Sequence, residues 1–375
     1  MAEPQATSTR RDYIDILKGL GILLVVFGHF MEQYRLGSHL IGATFITIYW
    51  FHMALFCMCS GLVAHFSLRK LITQQLWLYL LGQAIMLAFR AFVLQEDFAA
   101  SGGILMAFLL PWRHMWYLYA LLFWHLTLPI LTFLRDKLRL PGACIGLALA
   151  VALSLWAGTI DWPFTLVRVF AFYPFYAFGV LFRPQIDTLD RAASRFWAVR
   201  VVPGLLLLVC YGIRFWQMMQ FEGQLGESAK IFNDVPYGEG YAVQDRAIFL
   251  LVGIVTSVGL VAALGGCHVF ASLGKRTLPI YLLHFPILTF LIELGFYEPA
   301  REHPVPVIVA WVVLEATGCL CILCSGPVNR VFTWLANLWY KPLKKRSLRY
   351  KKRQPSGCRF FVQKHLTVHL PCDTI

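Results

Sequence analysis

The sequence predicts an all-α fold: a polytopic transmembrane helical bundle of about ten helices, with both termini cytoplasmic. Three observations carry this expectation. Hydrophobic residues make up 58% of the 375 positions and charged residues only 14%, against about 25% charged in soluble domains. Apolar segments of about 20 residues recur along the chain, each long enough to cross a hydrocarbon core roughly 30 Å thick as a helix. Lysine and arginine concentrate in alternate loops, the pattern left by retention of positive charge on the cytoplasmic side.

The apolar runs predict spans at 13–34, 43–66, 71–94, 114–134, 141–158, 164–182, 201–219, 246–264, 277–294 and 305–324. The run 103–110 is too short to cross and reads as a re-entrant or interfacial piece leading into span four. Arg10, Arg11 and Lys18 fall on one side, with Arg69 and Lys70, Arg135, Lys137 and Arg139, the arginines from Arg183 to Arg200, and Lys275 and Arg276. The opposite loops carry Glu96 and Asp97, Asp161, the longer stretch 220–245, and Glu298 and Glu302. An even number of helices is needed to preserve this alternation. The first apolar run, Gly19 to Met31, has no small-residue cleavage site, contains His29 and is followed at once by Glu32. It therefore reads as a retained first helix, not a removable leader.

The domain reading is a membrane domain over 1–340 and a basic cytoplasmic tail over 341–375, disordered from about 350 because no apolar period persists there. Residues 328–340 set aromatic side chains beside that basic tail, as an interfacial helix on an anionic leaflet does. The formal net charge of +13 is topological, since its basic residues flank hydrophobic spans and do not line an aromatic-studded face. The lipid bilayer is thus the expected partner, and nucleic acid is not. Ten cysteines do not make a disulfide framework. Cys57, Cys59, Cys144, Cys210, Cys319, Cys321 and Cys324 lie inside apolar runs, where a thiol behaves as a small hydrophobe. No cysteine pair has histidines at ligand spacing, so no metal site is expected.

The first helix carries the chemistry. At roughly 100° per residue, Lys18 and His29 fall about 20° apart and Asp15 about 40° from His29, so the ionisable groups share one face. His29 stands about 16 Å beyond Lys18 along the axis, near the membrane middle. Ionisable groups at that depth face a cavity or a partner. Gly21 and Gly28 permit close backbone approach there. Imidazole accepts and returns a proton near neutral pH, so His29 reads as a general base or relay, weighed against a histidine that only bonds a neighbouring helix.

Asp15-Ile-Leu-Lys18-Gly19 and an apolar run ending in Gly28-His29 resemble the opening of the acyltransferase family 3 membrane proteins. In that family a basic residue precedes the helix-one histidine at this spacing. It is usually arginine, and Lys18 is a variant associated with the branch resembling fucose 4-O-acetylases. Four further strings follow in the family's order. They are Phe51-His52-Met53-Ala54-Leu55-Phe56 with Ser60-Gly61, Met115-Trp116-Tyr117-Leu118, Tyr173-Pro174-Phe175-Tyr176-Ala177-Phe178-Gly179, and Leu273-Gly274-Lys275-Arg276-Thr277-Leu278-Pro279-Ile280-Tyr281-Leu282-Leu283-His284. The resemblance runs from about residue 11 to 330. It departs from the family after Ser60-Gly61, where only Arg69 and Lys70 stand in place of several spaced basic residues.

The resemblance implies O-acyl transfer, usually of acetyl, from a cytoplasmic acyl-CoA such as acetyl-CoA to a hydroxyl of a carbohydrate or lipid-linked glycan of the cell envelope or of an exported polysaccharide. It implies a multi-pass protein of a bacterial inner or plasma membrane, with acetyl-CoA a co-substrate and no bound cofactor. His29 is then the base, with Asp15 and Lys18 on its helix. Lys18, Arg69 and Lys70 are candidates for the donor phosphates, and His52, Trp116, Tyr117, Tyr281 and His284 for acceptor or site support. The basic pair equally fits plain topology, and Trp116 and Tyr117 equally fit an aromatic belt. Arg90, Arg168 and Glu293 need partners within the spans. His65, His125 and His268 read as interfacial. Ser60 lacks a Gly-x-Ser-x-Gly elbow and reads as helix packing. A transporter or flippase, and a non-catalytic partner in glycan synthesis, are the competing readings. The chain shows no repeated halves that would favour transport.

Overall fold

The computed structural model of the chain describes residues 12–221, 236–238, 240–264, 267–298, 303–336 and 338. Among these residues there is no strand. The first span is α1 (Asp12–Met31); the second is broken into α2 (His39–Tyr49) and α3 (His52–Val63). The third comprises α4 (Leu68–Lys70), a π-helical turn (Leu71–Leu76) and α5 (Trp77–Phe92). After a short α6 (Ile104–Leu109) come α7 (Trp116–Lys137), α8 (Arg139–Ala157), α9 (Leu166–Leu181), α10 (Arg183–Arg195) and α11 (Trp197–Met219). The chain ends through α12 (Val243–Ala263), α13 (Ala271–Gly274), α14 (Thr277–Glu293), α15 (Val305–Leu323) and α16 (Gly326–Ala336).

All ten predicted spans fall on helices. Eight of them are long and apolar enough to cross a membrane. The sixth, α9, is half of a pair bent by 69° into α10, and α14 has 17 residues, about 26 Å of helix. The chain is therefore an all-α, multi-pass integral membrane protein. The short run 103–110 is the helix α6. The helix predicted over 328–340 is seen as α16, which reaches Ala336, while the 341–375 tail, Arg10 and Arg11 lie outside the described residues.

The basic loops meet on one side of the bundle. Tyr13 at the start of α1 donates to Asp187 of α10 at 2.7 Å, Arg183 donates to the carbonyls of Leu62 and Ala64 at the end of α3, and Arg135 donates to the Val180 carbonyl at 3.2 Å. Those carbonyls are the acceptors that a helix end leaves without an internal partner, and a guanidinium there also complements the helix dipole.

Helix α1 is central, packed against α3, α13, α14 and α15. Two of its contacts are backbone to backbone. A Cβ at Gly19 would overlap the Phe270 carbonyl, and one at Gly274 would overlap the carbonyl of Asp15. The string Leu273-Gly274-Lys275 thus fixes α13 against the Asp15 turn of α1. Gly61 and Gly179 make the same reciprocal approach between α3 and α9, the small-residue packing that replaces hydrophobic drive inside lipid. By contrast, the apolar stretch of α11 is not buried at all. It packs on α2, α10 and α12, and its Tyr211 hydroxyl bonds Thr256 of α12 at 2.8 Å while the ring meets Phe51 at 5.4 Å.

On the acidic side, α6 stops within the protein, and side chains of α5 take up its last carbonyls. Gln83 donates to Phe108 and Leu110 at 2.9 and 2.5 Å, and Tyr79 to Leu109 at 2.7 Å. Arg90 finds Glu96 at 2.6 and 2.7 Å and lies over the rings of Phe98 and Trp112. The hydrogen bonds from Arg90 hold the Glu96 carboxyl below its ordinary range.

Two predictions follow from this packing. Gly274→Ala forces the Asp15 turn away and should destabilise the protein by about 1–3 kcal/mol, as overpacking does; a detergent melting curve reads the loss. A lowered folded pKa at Glu96 means that its stabilisation is complete above pH 4.5 and fades as the pH falls through the lowered value. Protection factors over 96–110, taken relative to the intrinsic exchange rate at each pH, should fall in acid, and Glu96→Gln should remove that pH dependence.

Candidate active site

His29 lies in the last turn of α1, where Gly28 leaves room for the Tyr49 ring: a Cβ there would sit 3.0 Å from it. Its Nδ1 is 3.4 Å from Oε2 of Glu32, one turn on, and 3.3 Å from the Tyr49 hydroxyl. A carboxylate only accepts, so the contact with Glu32 sets the ring proton on Nδ1 and leaves the lone pair on Nε2. Both contacts are long, as catalytic hydrogen bonds often are before substrate arrives. The His29 side chain is 20% exposed and that of Glu32 18%.

The neighbouring histidines are buried. His284 is 0% exposed and lies 5.4 Å from His29, ring centre to ring centre. Its Nδ1 donates to the Ile280 carbonyl at 2.9 Å, leaving Nε2 buried with no hydrogen bond. His114, in the turn Arg113–Met115 before α7, lies 5.1 Å from His284 and stacks on Phe285 at 5.2 Å. Pro286 interrupts the helix here, freeing the Leu282 carbonyl from its usual amide donor. That backbone is a polar neighbour of the His114 ring. His52 opens α3, donates from Nδ1 to the Ile48 carbonyl at 2.8 Å across the break in span two, and packs its ring 4.8 Å from Tyr49. It thus braces the tyrosine that touches His29.

Below these rings, Tyr281 donates to the His114 carbonyl and meets Tyr117 edge-on at 5.4 Å, and the Tyr117 hydroxyl bonds Ser60. Ser60 therefore does more than pack. Trp116 turns aside to Phe172 at 4.9 Å, with the Arg168 guanidinium 5.7 Å from its ring. Both Trp116 and Tyr117 are buried, at 7% and 5% exposed, and do not form a rim on the membrane interface.

The structure does not bring Asp15 or Lys18 to His29. Both lie half-buried near the opposite end of the continuous helix α1, Lys18 about 16 Å away along it. Arg69 and Lys70 are exposed on α4, on the same side of the bundle. The carboxylate at His29 is Glu32, which sequence reasoning misses together with Tyr49 and His114. The His29/Glu32 spacing of one helical turn is the signal that finds the first. Tyr49 and His114 are brought in by the bundle alone. No group of metal-ligating side chains occurs among the described residues. An accessible imidazole, oriented through one nitrogen by a carboxylate and bare at the other, is an arrangement suited to moving a proton.

Neither the curated proteins nor the solved structures contain a match to this chain. The sequence model of a protein family described as an acyltransferase domain, family 3 of the acyltransferases, matches residues 11–326. That match covers every helix of the site described above, and the chain belongs to the family 3 membrane acyltransferases.

Proposed function

We propose that the protein is a membrane O-acetyltransferase. It moves the acetyl group of cytoplasmic acetyl-CoA to a hydroxyl of a carbohydrate or lipid-linked glycan destined for the cell envelope or for export. The observation that carries this reading is the state of His29. It is the accessible member of a histidine cluster, with Nδ1 against Glu32 and Nε2 bare. In the reaction Nε2 takes the proton of the acceptor hydroxyl as its oxygen attacks the thioester carbonyl. The tetrahedral intermediate then expels the CoA thiolate, which receives the proton back from Nε2. Glu32 orients the ring and stabilises the imidazolium formed between these steps.

The donor enters from the basic side, which we assign to the cytoplasm of a bacterial inner membrane. Arg69 and Lys70 meet the CoA phosphates there, with Lys18 further in, and the pantetheine arm spans the distance to His29. Asp15, one turn before Lys18, sets the position of that ammonium. His52 and His284 hold the surroundings of His29, and Tyr281 and Tyr117 pack against one another beneath the histidines. Lysine at position 18 supports an acceptor like that of the fucose 4-O-acetylase branch. The aromatic helix α16, beside the basic residues that follow it in the sequence, anchors the domain to the anionic leaflet.

Cells carrying the native chain, His29→Ala or Glu32→Gln should be compared for acetyl content of surface glycan, with insertion checked by immunoblot of membranes. His29→Ala should lose at least about 100-fold in acetylation, the scale of a general base. Glu32→Gln should keep the fold and lose about tenfold or more, since an amide does not stabilise the imidazolium. Full acetylation by stably inserted His29→Ala would refute the assignment. A change in glycan amount with its acetylation intact would favour transport.

A further inference from the structure

His125, read from the sequence as interfacial, lies within α7 and is 3% exposed. Its ring makes two directed contacts with a single segment of the third span. The Ser67 backbone N–H donates to Nε2 at 3.2 Å. A ring that accepts at Nε2 carries its proton on Nδ1, and the side-chain amide of Gln75 lies 3.3 Å from that atom. Turned to present its oxygen, the amide accepts the Nδ1 proton. Phe66 closes the arrangement by stacking on the imidazole at 5.6 Å.

The segment held this way is unusual. Ser67 caps α4 through its hydroxyl, which accepts from the Lys70 N–H at 3.3 Å, and its carbonyl accepts from Leu71 at 2.9 Å. The next six residues form the π-helical turn, a wide, rarely sustained conformation that marks functional sites more often than chance. His125 therefore grips both ends of the stretch 67–75 with one ring, and Arg69 and Lys70 project between the two grips. The ring stands about 15 Å along α7 from Arg135, whose guanidinium meets the end of α9.

We propose that His125 is a positioning residue for donor binding. By clamping Ser67 and Gln75 it fixes the backbone that presents Arg69 and Lys70 to the phosphates of the acyl-CoA. This rests on the donor assignment made above, but it concerns a residue remote from the reacting atoms. Fixing two cations before the ligand arrives removes part of the ordering cost of binding and leaves the chemical step alone.

The test uses the full chain in vesicles, with acetyl-CoA titrated against a saturating acceptor extract and hydrogen exchange followed over Ser67–Leu76. His125→Phe keeps the stack on Phe66 and removes both polar contacts. It should raise the KM for acetyl-CoA about tenfold with kcat within about threefold, and should speed exchange over that segment. His125→Gln restores an acceptor and a donor on one side chain and should return KM to within about threefold of native. Gln75→Leu, which spares the histidine, should shift KM in the same direction. An unchanged KM in His125→Phe, or a loss confined to kcat, overturns the proposal. If exchange speeds up while neither His125→Phe nor Arg69→Ala nor Lys70→Ala alters KM, the clamp exists but the donor-site reading beneath the proposal fails.

Discussion

A chain that breaks its helices inside a bilayer must find partners for the backbone groups it exposes, because hydrocarbon offers none. This protein breaks its helices repeatedly, and at several breaks among the described residues a side chain from another helix supplies the partner. Arg183 serves the end of α3, Gln83 and Tyr79 the end of α6, Tyr281 the turn before α7, and His125 the start of α4. Trp124 donates to the Val169 carbonyl and Ser154 to that of Ala171, on helix α9, which contains Pro174. The polar residues scattered through the apolar spans are thus chiefly the means by which irregular backbone is tolerated at membrane depth.

The candidate site is a by-product of the same constraint. The break between α2 and α3 places Tyr49 and His52 on the two sides of a joint, and His52 stitches the joint through the Ile48 carbonyl. Pro286 opens α14 where His284 and the ring of His114 converge. His29, on the unbroken helix α1, stays reachable while His52, His114 and His284 are sealed. The break in span two and the proline inside α14, set around one continuous helix, bring these polar side chains together without a charged group having to face lipid.

The spans are legible in the sequence because each is a long apolar run, and length alone decides a membrane helix. The face of α1 is legible for a similar reason: the angle between Lys18 and His29 follows from helical geometry. His52 and His284 are legible through the strings around them, although their roles as braces are not. Packing decides the rest. Nothing local to His114 distinguishes it from an interfacial histidine until α14 is laid against α7. His125 reads as interfacial because a residue's depth along a helix does not reveal which neighbour folds back to meet it. Asp15 shares a face with His29 but stands too far along the axis to touch it. Glu32, just past the end of the helix, takes that place.

Helix α11 has 23 residues, about 35 Å of helix against a hydrocarbon core of roughly 30 Å, and none of its apolar stretch is fully buried. It packs on α2, α10 and α12 and presents the rest of its surface to lipid. Yet Met218 near its end packs with Phe45 and Ile46 of α2, and the Phe45 ring lies 3.9 Å from that of Tyr49, which touches His29. Bilayer thickness and lipid composition thus bear on the geometry around the imidazole. Activity in short-chain detergent and activity in native-like lipid are measurements on two differently adjusted sites.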